Sequence, residues 1–247
     1  MKPGLLSCSV GVILSLAIQN SASAAEEQTV DSILAKYITA SGGKAALEKV
    51  NSRVVKVTIE SEAFGPSEGQ VFAVPPNKLA SHIQLPNAGS IDEGFDGTIG
   101  WAKSPWQELR LKSGEELAKT RRDAEFYRIL RFKSIYPGLA FKGTEKVGDE
   151  EANVIESTPS AKSSEKFWFS VKTGLLIRQD SGFEGPQGSV STSALPQDYK
   201  TVDGIKYPGT LKLKITAGGQ TFEMTMKFAD IQHNVRIDDA KFVKPSA

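Results

Sequence analysis

The chain has 247 residues, of which 39% are hydrophobic and 24% charged, and its formal net charge is +1. This composition is typical of a globular protein and excludes a fibrous, collagen-like or wholly disordered chain. The near-zero charge gives no sign of the basic surface that binds nucleic acid. One Cys and two His are too few for a zinc site built from those residues. We therefore expect no metal, no cofactor and no nucleic-acid partner.

The first 24 residues have the three parts of a secretory signal peptide. Met1-Lys2 supplies the positive start, Leu5 to Ile18 the apolar stretch, and Ala22-Ser23-Ala24 the small residues of a cleavage site. The apolar stretch is too short for a confident membrane span, which needs about 20 residues. We expect a signal peptide over 1–24, a mature domain over 25–247 in the periplasm, and no membrane span after cleavage.

Cys8 allows a second interpretation of this segment. Leu5-Leu6-Ser7-Cys8 is similar to a lipobox, in which the cysteine is acylated and becomes the new N-terminus. A lipoprotein signal places its apolar segment before the cysteine, whereas here only a few residues precede it. We therefore expect Cys8 to be discarded with the signal peptide. The mature chain then has no disulfide and must rely on its core for stability.

The predicted elements begin with a helix over 28–50. Asp31 is its expected cap, and Gly42-Gly43 separates a short helical piece that ends at Val50. The apolar period then changes to two, as Val55, Val57 and Ile59 alternate with polar residues in a predicted strand. Further strands are predicted near 69–74, 78–85, 90–95, 98–103 and 106–111.

A second helix is predicted from Ser113 to about Leu130, with Ser113 and Glu116 as a capping box. Strands resume near 139–147, 151–158, 165–171, 175–183, 189–199, 205–215 and 220–230. The turns between them contain Thr173-Gly174, Asp203-Gly204 and Gly218-Gly219, which suit hairpins. This order predicts an α+β single domain of antiparallel strands and excludes a parallel doubly wound sheet.

The chain lacks the residue patterns of common enzymes. There is no G-x-S-x-G, no G-x-x-x-x-G-K-[ST] and no G-x-G-x-x-G after a strand. His82 stands in a predicted strand and His233 at a strand end, and a structural or surface role is expected for both. The acidic groups in predicted turns do not follow a calcium-loop pattern. The Lys119–Arg122 run is interpreted as part of a mixed charged helix face, so we expect no catalytic and no metal residues.

Large apolar side chains are the remaining candidates for a function. Phe222, Met224, Met226 and Phe228 share one face of a predicted strand, and methionine adapts to irregular apolar partners. The same residues could equally form a filled sheet core. The predicted cavity-lining set is Phe72, Trp101, Trp106, Trp168, Phe222, Met224, Met226 and Phe228. The predicted lid residues are Leu34, Ile38, Leu117 and Tyr127.

Four segments carry a family resemblance: 69–77 (GQVFAVPPN), 96–101 (DGTIGW), 167–176 (FWFSVKTGLL) and 239–242 (DAKF) followed by Pro245. In this order they resemble the LolA/LolB-like superfamily of periplasmic carriers. The resemblance implies an incomplete antiparallel β-barrel of about 11 strands, wrapped around helices that lid an apolar cavity. In that family LolA ferries acylated lipoproteins across the periplasm and LolB receives them at the outer membrane.

The sequence departs from the LolA pattern at one position. LolA places an Arg before the Pro-Asn pair to hold its lid closed, whereas this chain has Pro75, so that latch is not carried over. The segment from Asp203 to Pro208 is more similar to an uncharacterised side branch of the superfamily. The resemblance implies a monomeric, non-enzymatic periplasmic carrier of acyl-chain or lipoprotein cargo. The alternatives are an enzyme on the same scaffold and an envelope protein-interaction module with a filled core and no ligand.

Overall fold

The computed structural model of the protein describes residues 28–63, 65–185 and 188–245. The predicted signal peptide, residues 1–24 with Cys8, lies outside the described residues. Within the described ranges, no helix is both long enough and apolar enough to span a membrane.

The predicted first helix consists of two pieces, α1 (Val30–Ala40) and α2 (Lys44–Glu48). The prediction of Asp31 as the cap was wrong by two residues. Thr29 is the N-cap: its hydroxyl accepts a hydrogen bond from the Ser32 N–H, and the Ser32 hydroxyl accepts one from the Thr29 N–H. The predicted break is confirmed at Gly42, whose φ of 120° is open to glycine but strained for other residues.

The predicted second helix is shorter than expected. Helix α3 spans Gly114–Ala124, and after a turn α4 covers Phe132–Ile135. The predicted capping box is absent, because the Ser113 side chain makes no cap bond and Glu116 accepts two hydrogen bonds from Arg110, at 2.6 and 2.7 Å. The chain leaves the helix beyond Ala124, where the Phe126 N–H donates to the Pro76 carbonyl at 3.0 Å. A contact distant in sequence therefore replaces the next turn of helix.

The described residues contain fifteen strands, which pair antiparallel with their neighbours. Strands β1 to β6 span Arg53–Ser61, Ser67–Val74, Lys78–Leu85, Gly89–Phe95, Gly100–Ser104 and Gln107–Leu111. Strands β7 to β11 span Ala140–Val147, Glu150–Ser160, Ser163–Ser170, Leu176–Gly185 and Gly188–Gln197. Strands β12 to β15 span Lys200–Val202, Ile205–Tyr207, Thr210–Ala217 and Gln220–His233, and a 3₁₀ turn covers Asp239–Lys241.

Thirteen of these strands form one open sheet, in the order β6-β5-β4-β3-β2-β1-β15-β14-β11-β10-β9-β8-β7. The two ends of the sheet, β6 and β7, do not pair with each other. Strands β12 and β13 form a separate hairpin, and its turn at Asp203-Gly204 has φ values of 49° and 79°, as a type I′ turn requires. The predicted strand over 205–215 is therefore two strands, interrupted at Pro208-Gly209.

A β-bulge in β15 decides which of its side chains share a face. Lys56 is opposite Asp230 and Val57 is opposite Phe228, so Ala229 is left without a partner on β1. This extra residue shifts the alternation by one. Phe228 and Ile231 consequently lie on the same face as Val57, in one apolar cluster. We call this the inner face of the sheet.

An aromatic cluster attaches the helices to the inner face. Phe132 of α4 lies 4.7 Å from Phe167 of β9 and 4.7 Å from Tyr136, measured between ring centroids. Tyr37 of α1 lies 5.0 Å from Phe169 of the same strand. All five rings are buried and belong to one core cluster with Ile33 and Leu34 of α1. Burial of these rings stabilises the contact between the helices and the sheet.

The opposite, outer face is covered in part by the closing segment, residues 234–245. Phe242 of that segment is fully buried against Phe72 and Ala80. The Trp101 indole N–H donates to the Phe242 carbonyl at 2.9 Å. A Cβ atom at Gly94 would lie 2.4 Å from the Trp101 ring, so β4 needs glycine at this position.

We expect Gly94→Ala to lower the free energy of unfolding by about 1–3 kcal/mol, because the added methyl group overpacks against the indole. Chemical denaturation followed by tryptophan fluorescence measures the stability of the variant and of the unsubstituted protein. Gly182→Ala is the matched control, since its Cβ would meet nothing closer than the Ser164 hydroxyl at 3.3 Å. Equal effects of the two substitutions would contradict the prediction.

Candidate functional site

A cavity of about 350 Å³ lies between the inner face and the helical segments. This volume is within the range of small-molecule sites, roughly 300–1,000 Å³. Strands β1, β2, β10, β11, β14 and β15 supply one wall, and the opposite wall comes from α1, α2, β13 and the turn after α3. The apolar lining includes Val55, Val71, Leu176, Ala194, Pro196, Leu211, Phe228 and Ile231.

Charged side chains line one part of this cavity. Asp123 pairs with Lys119 at 2.7 Å and with Arg128 at 3.4 Å. Burial alone would raise the pKa of Asp123, but Lys119 and Arg128 outweigh it and hold the pKa below its usual value. Burial likewise opposes the charge of Arg128, yet the acidic groups around it, including Asp123, raise the pKa of Arg128 overall. Both groups are therefore charged near neutral pH.

A buried ion pair joins α3 to the sheet beside the cavity. Arg122 Nη2 lies 3.7 Å from Glu165 Oε1, and the Glu165 side chain is only 1% exposed. Gln179 donates a hydrogen bond to Glu165 Oε2 at 3.1 Å. Burial is the main cause that raises the pKa of Glu165. The mixed charged face predicted for α3 is thus turned partly inward, rather than wholly to solvent.

A chain of hydrogen bonds attaches the β12–β13 hairpin to β15. His233 Nδ1 lies 2.9 Å from Asp203 Oδ2, and His233 Nε2 lies 2.9 Å from the Tyr207 hydroxyl. The His233 side chain is 3% exposed. The Arg53 guanidinium lies over the Tyr207 ring, 5.5 Å from its centroid, and also contacts Phe126. The arrangement agrees with the structural role expected for His233, and it fixes Tyr207 at the cavity wall.

The structure does not bring the eight predicted cavity residues together. Phe228 lines the cavity. Met224 and Met226 share its face and pack against the β1 cluster. Phe222 and Met224 line a separate open groove between β15, β14 and the β1–β2 connection. The four side chains from Phe222 to Phe228 thus share one face of β15, as the alternation predicts. Phe222 and Met224, however, line the groove and not the cavity.

The other four predicted residues lie elsewhere. Phe72 and Trp101 are on the outer face under the closing segment. Trp168 is buried with Ala152 and Val154, and its indole N–H donates to Glu145 at 2.8 Å. Trp106 follows β5 in a turn and is 60% exposed. None of these four side chains lines the 350 Å³ cavity.

The predicted lid residues are also dispersed. Tyr127 lines the cavity, and its hydroxyl donates to the Val50 carbonyl at 3.0 Å. Leu34 is buried in the aromatic cluster. Leu117 packs against Gly100 of β5, and Ile38 is half-buried on α1. Opening of these segments as a lid stays a prediction.

Several cavity residues were missed by the sequence analysis, including Arg53, Glu125 and Arg128. Arg53 could have been found, because it continues the inward alternation of Val55 and Val57 in β1. Glu125 and Arg128 gave no such signal, since the predicted helix continues through both. Among the described residues, no group of three or more His, Cys, Asp or Glu could hold a metal ion.

No protein-family model matches this sequence, and no curated protein matches it either. Solved structures do match. A LolA superfamily protein from Nitrosomonas europaea is 16% identical over 88% of this chain and 98% of its own, with a TM-score of 0.56. A DUF1329 family protein from Desulfovibrio piger is 13% identical over 87% and 97%, with a TM-score of 0.53.

A third match is an outer membrane lipoprotein-sorting protein domain from Vibrio parahaemolyticus. It is 10% identical over 78% of this chain and 89% of its own, with a TM-score of 0.51. Identities this low bear on the fold alone. They confirm the resemblance stated from the sequence: this protein has a LolA-like fold.

Proposed function

We propose that this protein is an exported, non-enzymatic carrier that holds the acyl chain of a lipid or lipoprotein in the 350 Å³ cavity. The observation that carries the proposal is the cavity itself, whose sheet wall is mostly apolar and includes Val55, Val71, Leu211 and Phe228. Apolar surface left facing a cavity rather than other side chains is available to an apolar ligand. The open sheet then acts as an incomplete barrel, and the helical segments act as its lid.

The aromatic cluster holds α1 and α4 to the sheet, so the segment after α3 and the β12–β13 hairpin are the parts that would move as a lid. The segment after α3 is attached by two hydrogen bonds, from the Phe126 N–H to Pro76 and from the Tyr127 hydroxyl to Val50. The β12–β13 hairpin is attached to the end of α1 by the Lys206 N–H, which donates to the Ser41 carbonyl. Opening also separates Phe126 from Ala73 and Val50, so a ligand that opens this lid must offset the loss of those apolar contacts and of the hydrogen bonds, each of which contributes about 0.5–1.5 kcal/mol.

One further observation supports transport rather than catalysis, and another supports export from the cytoplasm. Asp123 and Arg128 at the cavity are paired with each other, which favours a structural use of these two charges. Export is supported by residues 1–24, whose charged start, apolar stretch and small residues have the pattern of a secretory signal.

Filling the cavity tests the proposal. Leu211 of β14 lines the cavity, whereas Leu213, on the same face of the same strand, lines the separate groove. We expect Leu211→Trp to weaken binding of the apolar dye N-phenylnaphthylamine at least tenfold, with little loss of stability, because the larger ring occupies free space. Fluorescence titration measures the affinity, and thermal unfolding measures the stability.

Leu213→Trp is the matched control for the dye titration, and it should bind as the unsubstituted protein does. Loss of binding in the control alone would move the site to the groove beside Met224 and contradict the proposal. An unsubstituted protein that binds no dye would also contradict it.

A second candidate function is binding to an envelope protein. The observation that favours it is a set of exposed apolar side chains near the β6 end of the sheet, namely Ile99, Trp106 and Leu111. Exposed apolar side chains are common at protein–protein contact sites when they form a continuous surface. The dye titration separates the two functions, because a module with a filled core would bind no dye.

A further inference from the structure

The acidic side chains that line the 350 Å³ cavity are each paired with a cation. Among the described residues these acids are Asp123 and Glu125. Asp123 pairs with Arg128 at 3.4 Å, and Glu125 pairs with Arg131 at 3.0 Å. The negative charges of the wall are therefore balanced within the protein, and they oppose an incoming anion only weakly.

Two cationic side chains of the same wall have no such partner. Arg53 and Lys206 line the cavity, and within the described ranges neither side chain makes an ion pair or donates a hydrogen bond. The backbone N–H of Lys206 donates to the Ser41 carbonyl, which leaves its ammonium group uncommitted. The lining thus carries two positive charges that no carboxylate of the described protein balances.

The position of Arg53 follows from the alternation of β1. Arg53 is half-buried on the inner face, two residues before Val55. Its guanidinium carbon lies 5.3 Å from the ring centroid of Phe126 and 5.5 Å from that of Tyr207. Ring faces attract a cation, but they provide no acceptor oxygen for the five N–H groups of arginine. An anionic oxygen that reaches this guanidinium therefore gains charge-assisted hydrogen bonds.

Lys206 adds a second positive charge on the lid side of the cavity. It belongs to β13 and directly precedes Tyr207, the residue whose ring contacts Arg53. Lys206 is exposed, so its ammonium acts as a mobile point charge on a flexible stem. Arginine, in contrast, presents a planar fork that binds two oxygen atoms of one anion. The two cations together complement the head of an anionic amphiphile.

We propose that the cavity selects amphiphiles with an anionic oxygen head, which Arg53 binds and Lys206 attracts. The head is the carboxylate of a fatty acid or the phosphate of a lipid, since both present oxygen atoms that match the guanidinium fork. The apolar chain lies along Val71, Leu211 and Phe228 of the sheet wall. This inference rests on the proposed carrier function and specifies the class of its ligand.

Displacement of N-phenylnaphthylamine from the protein tests the preference for the head. The competing ligands are dodecanoate, dodecyl phosphate, dodecanol and dodecyltrimethylammonium, which share a chain length and carry anionic, neutral or cationic heads. We expect the two anions to bind at least about tenfold more tightly than the other two, the factor for a hydrogen bond to a charged group. Hydrophobicity alone would favour dodecanol over the anions. Comparison of dodecanoate with dodecyl phosphate identifies which anionic head is preferred.

Two variants connect this preference to the cations. Arg53→Met keeps a long apolar side chain on the sheet and should remove most of the preference, whereas Lys206→Met should reduce it less. Lys56→Met is the matched control, because Lys56 is an exposed cation of the same strand that pairs with Asp230 at 3.3 Å and does not line the cavity. It removes the same charge, so the preference should remain.

The outcomes distinguish this inference from the carrier function. If dodecanol or the cationic ligand binds as tightly as the anions, or if Arg53→Met keeps the full preference, the inference is overturned while the carrier function stands. Equal losses in Arg53→Met and Lys56→Met would overturn it too, because net charge alone would then explain the preference. If Arg53→Met does not fold, a full preference in Lys206→Met overturns the inference. If neither the dye nor any ligand binds, the carrier function itself fails.

Discussion

Replacing Phe167 with Ala should lower the free energy of unfolding by about 3–5 kcal/mol, the usual cost of deleting a buried aromatic ring. The Phe167 side chain is 1% exposed. Its ring centroid lies 4.7 Å from that of Phe132 and 4.8 Å from that of Tyr136. Phe132 belongs to α4 and Tyr136 directly follows it, so these rings can fill the space left by Phe167 only if α4 moves.

Urea denaturation followed by circular dichroism measures the effect of Phe167→Ala. Leu111→Ala is the control, because Leu111 is apolar but exposed at the β6 edge and should change the stability by less than about 0.5 kcal/mol. A cost below 1 kcal/mol for Phe167→Ala would show that the aromatic cluster does not hold the helices to the sheet.

Arg122→Met should cost about 3–5 kcal/mol at neutral pH, as expected when one partner of a buried ion pair is removed. The Glu165 carboxylate, 1% exposed, would retain Gln179 and the attraction of Lys119 but lose the guanidinium 3.7 Å away. The double variant Arg122→Met with Glu165→Gln should recover most of the loss, since neither charge remains buried. Urea denaturation of the two variants and the unsubstituted protein measures both effects.

The pH dependence of this cost gives a second check. Burial already raises the pKa of Glu165 above its ordinary value of 4.5, and loss of Arg122 raises it further. A raised carboxyl pKa means that the folded state holds more protons than the unfolded state, so stability falls as the pH rises from about 4.5 through the folded pKa. We therefore expect the cost of Arg122→Met to shrink as the pH falls toward that value. A cost independent of pH would contradict this account.

The strands were predictable because each carries its own local signal. Asp203-Gly204 predicted a hairpin, and both residues do adopt positive φ. Local signals fail where a distant contact decides the conformation. The predicted helix through Leu130 ends at Ala124, and beyond it the Phe126 N–H bonds to Pro76, a residue far away in the sequence.

The choice of cavity face was the harder problem. A period of two shows that Phe72 and Val71 point to opposite faces of β2, but it does not show which face is inward. Both faces carry apolar residues here, because the closing segment buries Phe72 on the outer side. The largest aromatic residues were therefore assigned to the cavity, although Val71 is the residue of this pair that lines it.

The bulge at Ala229 and the inward charges of α3 could not be predicted for a related reason. A bulge depends on the partner strand, and β1 lies at the other end of the chain. The inward turn of Arg122 depends on Glu165, a carboxylate that sits in β9 among aromatic residues. Each of these features is a property of a pair of residues and leaves no trace in either segment alone.

The pairing of β1 with β15 also sets the order in which the protein can be built. Within β1 to β6, and within β7 to β15 apart from the β12–β13 hairpin, strands that pair in the sheet are also close in sequence. The pairing of β1 with β15, in contrast, joins the first strand to the last. A ribosome or a translocation channel delivers the N-terminal half first, and that half must wait with the β1 edge unpaired. Helix α1 also lacks its packing partners at that stage, because Phe167 and Phe169 come late in the chain. Strand β15 is thus synthesised last and joins the two halves of the sheet, so the edge of β1 stays unpaired until β15 is present.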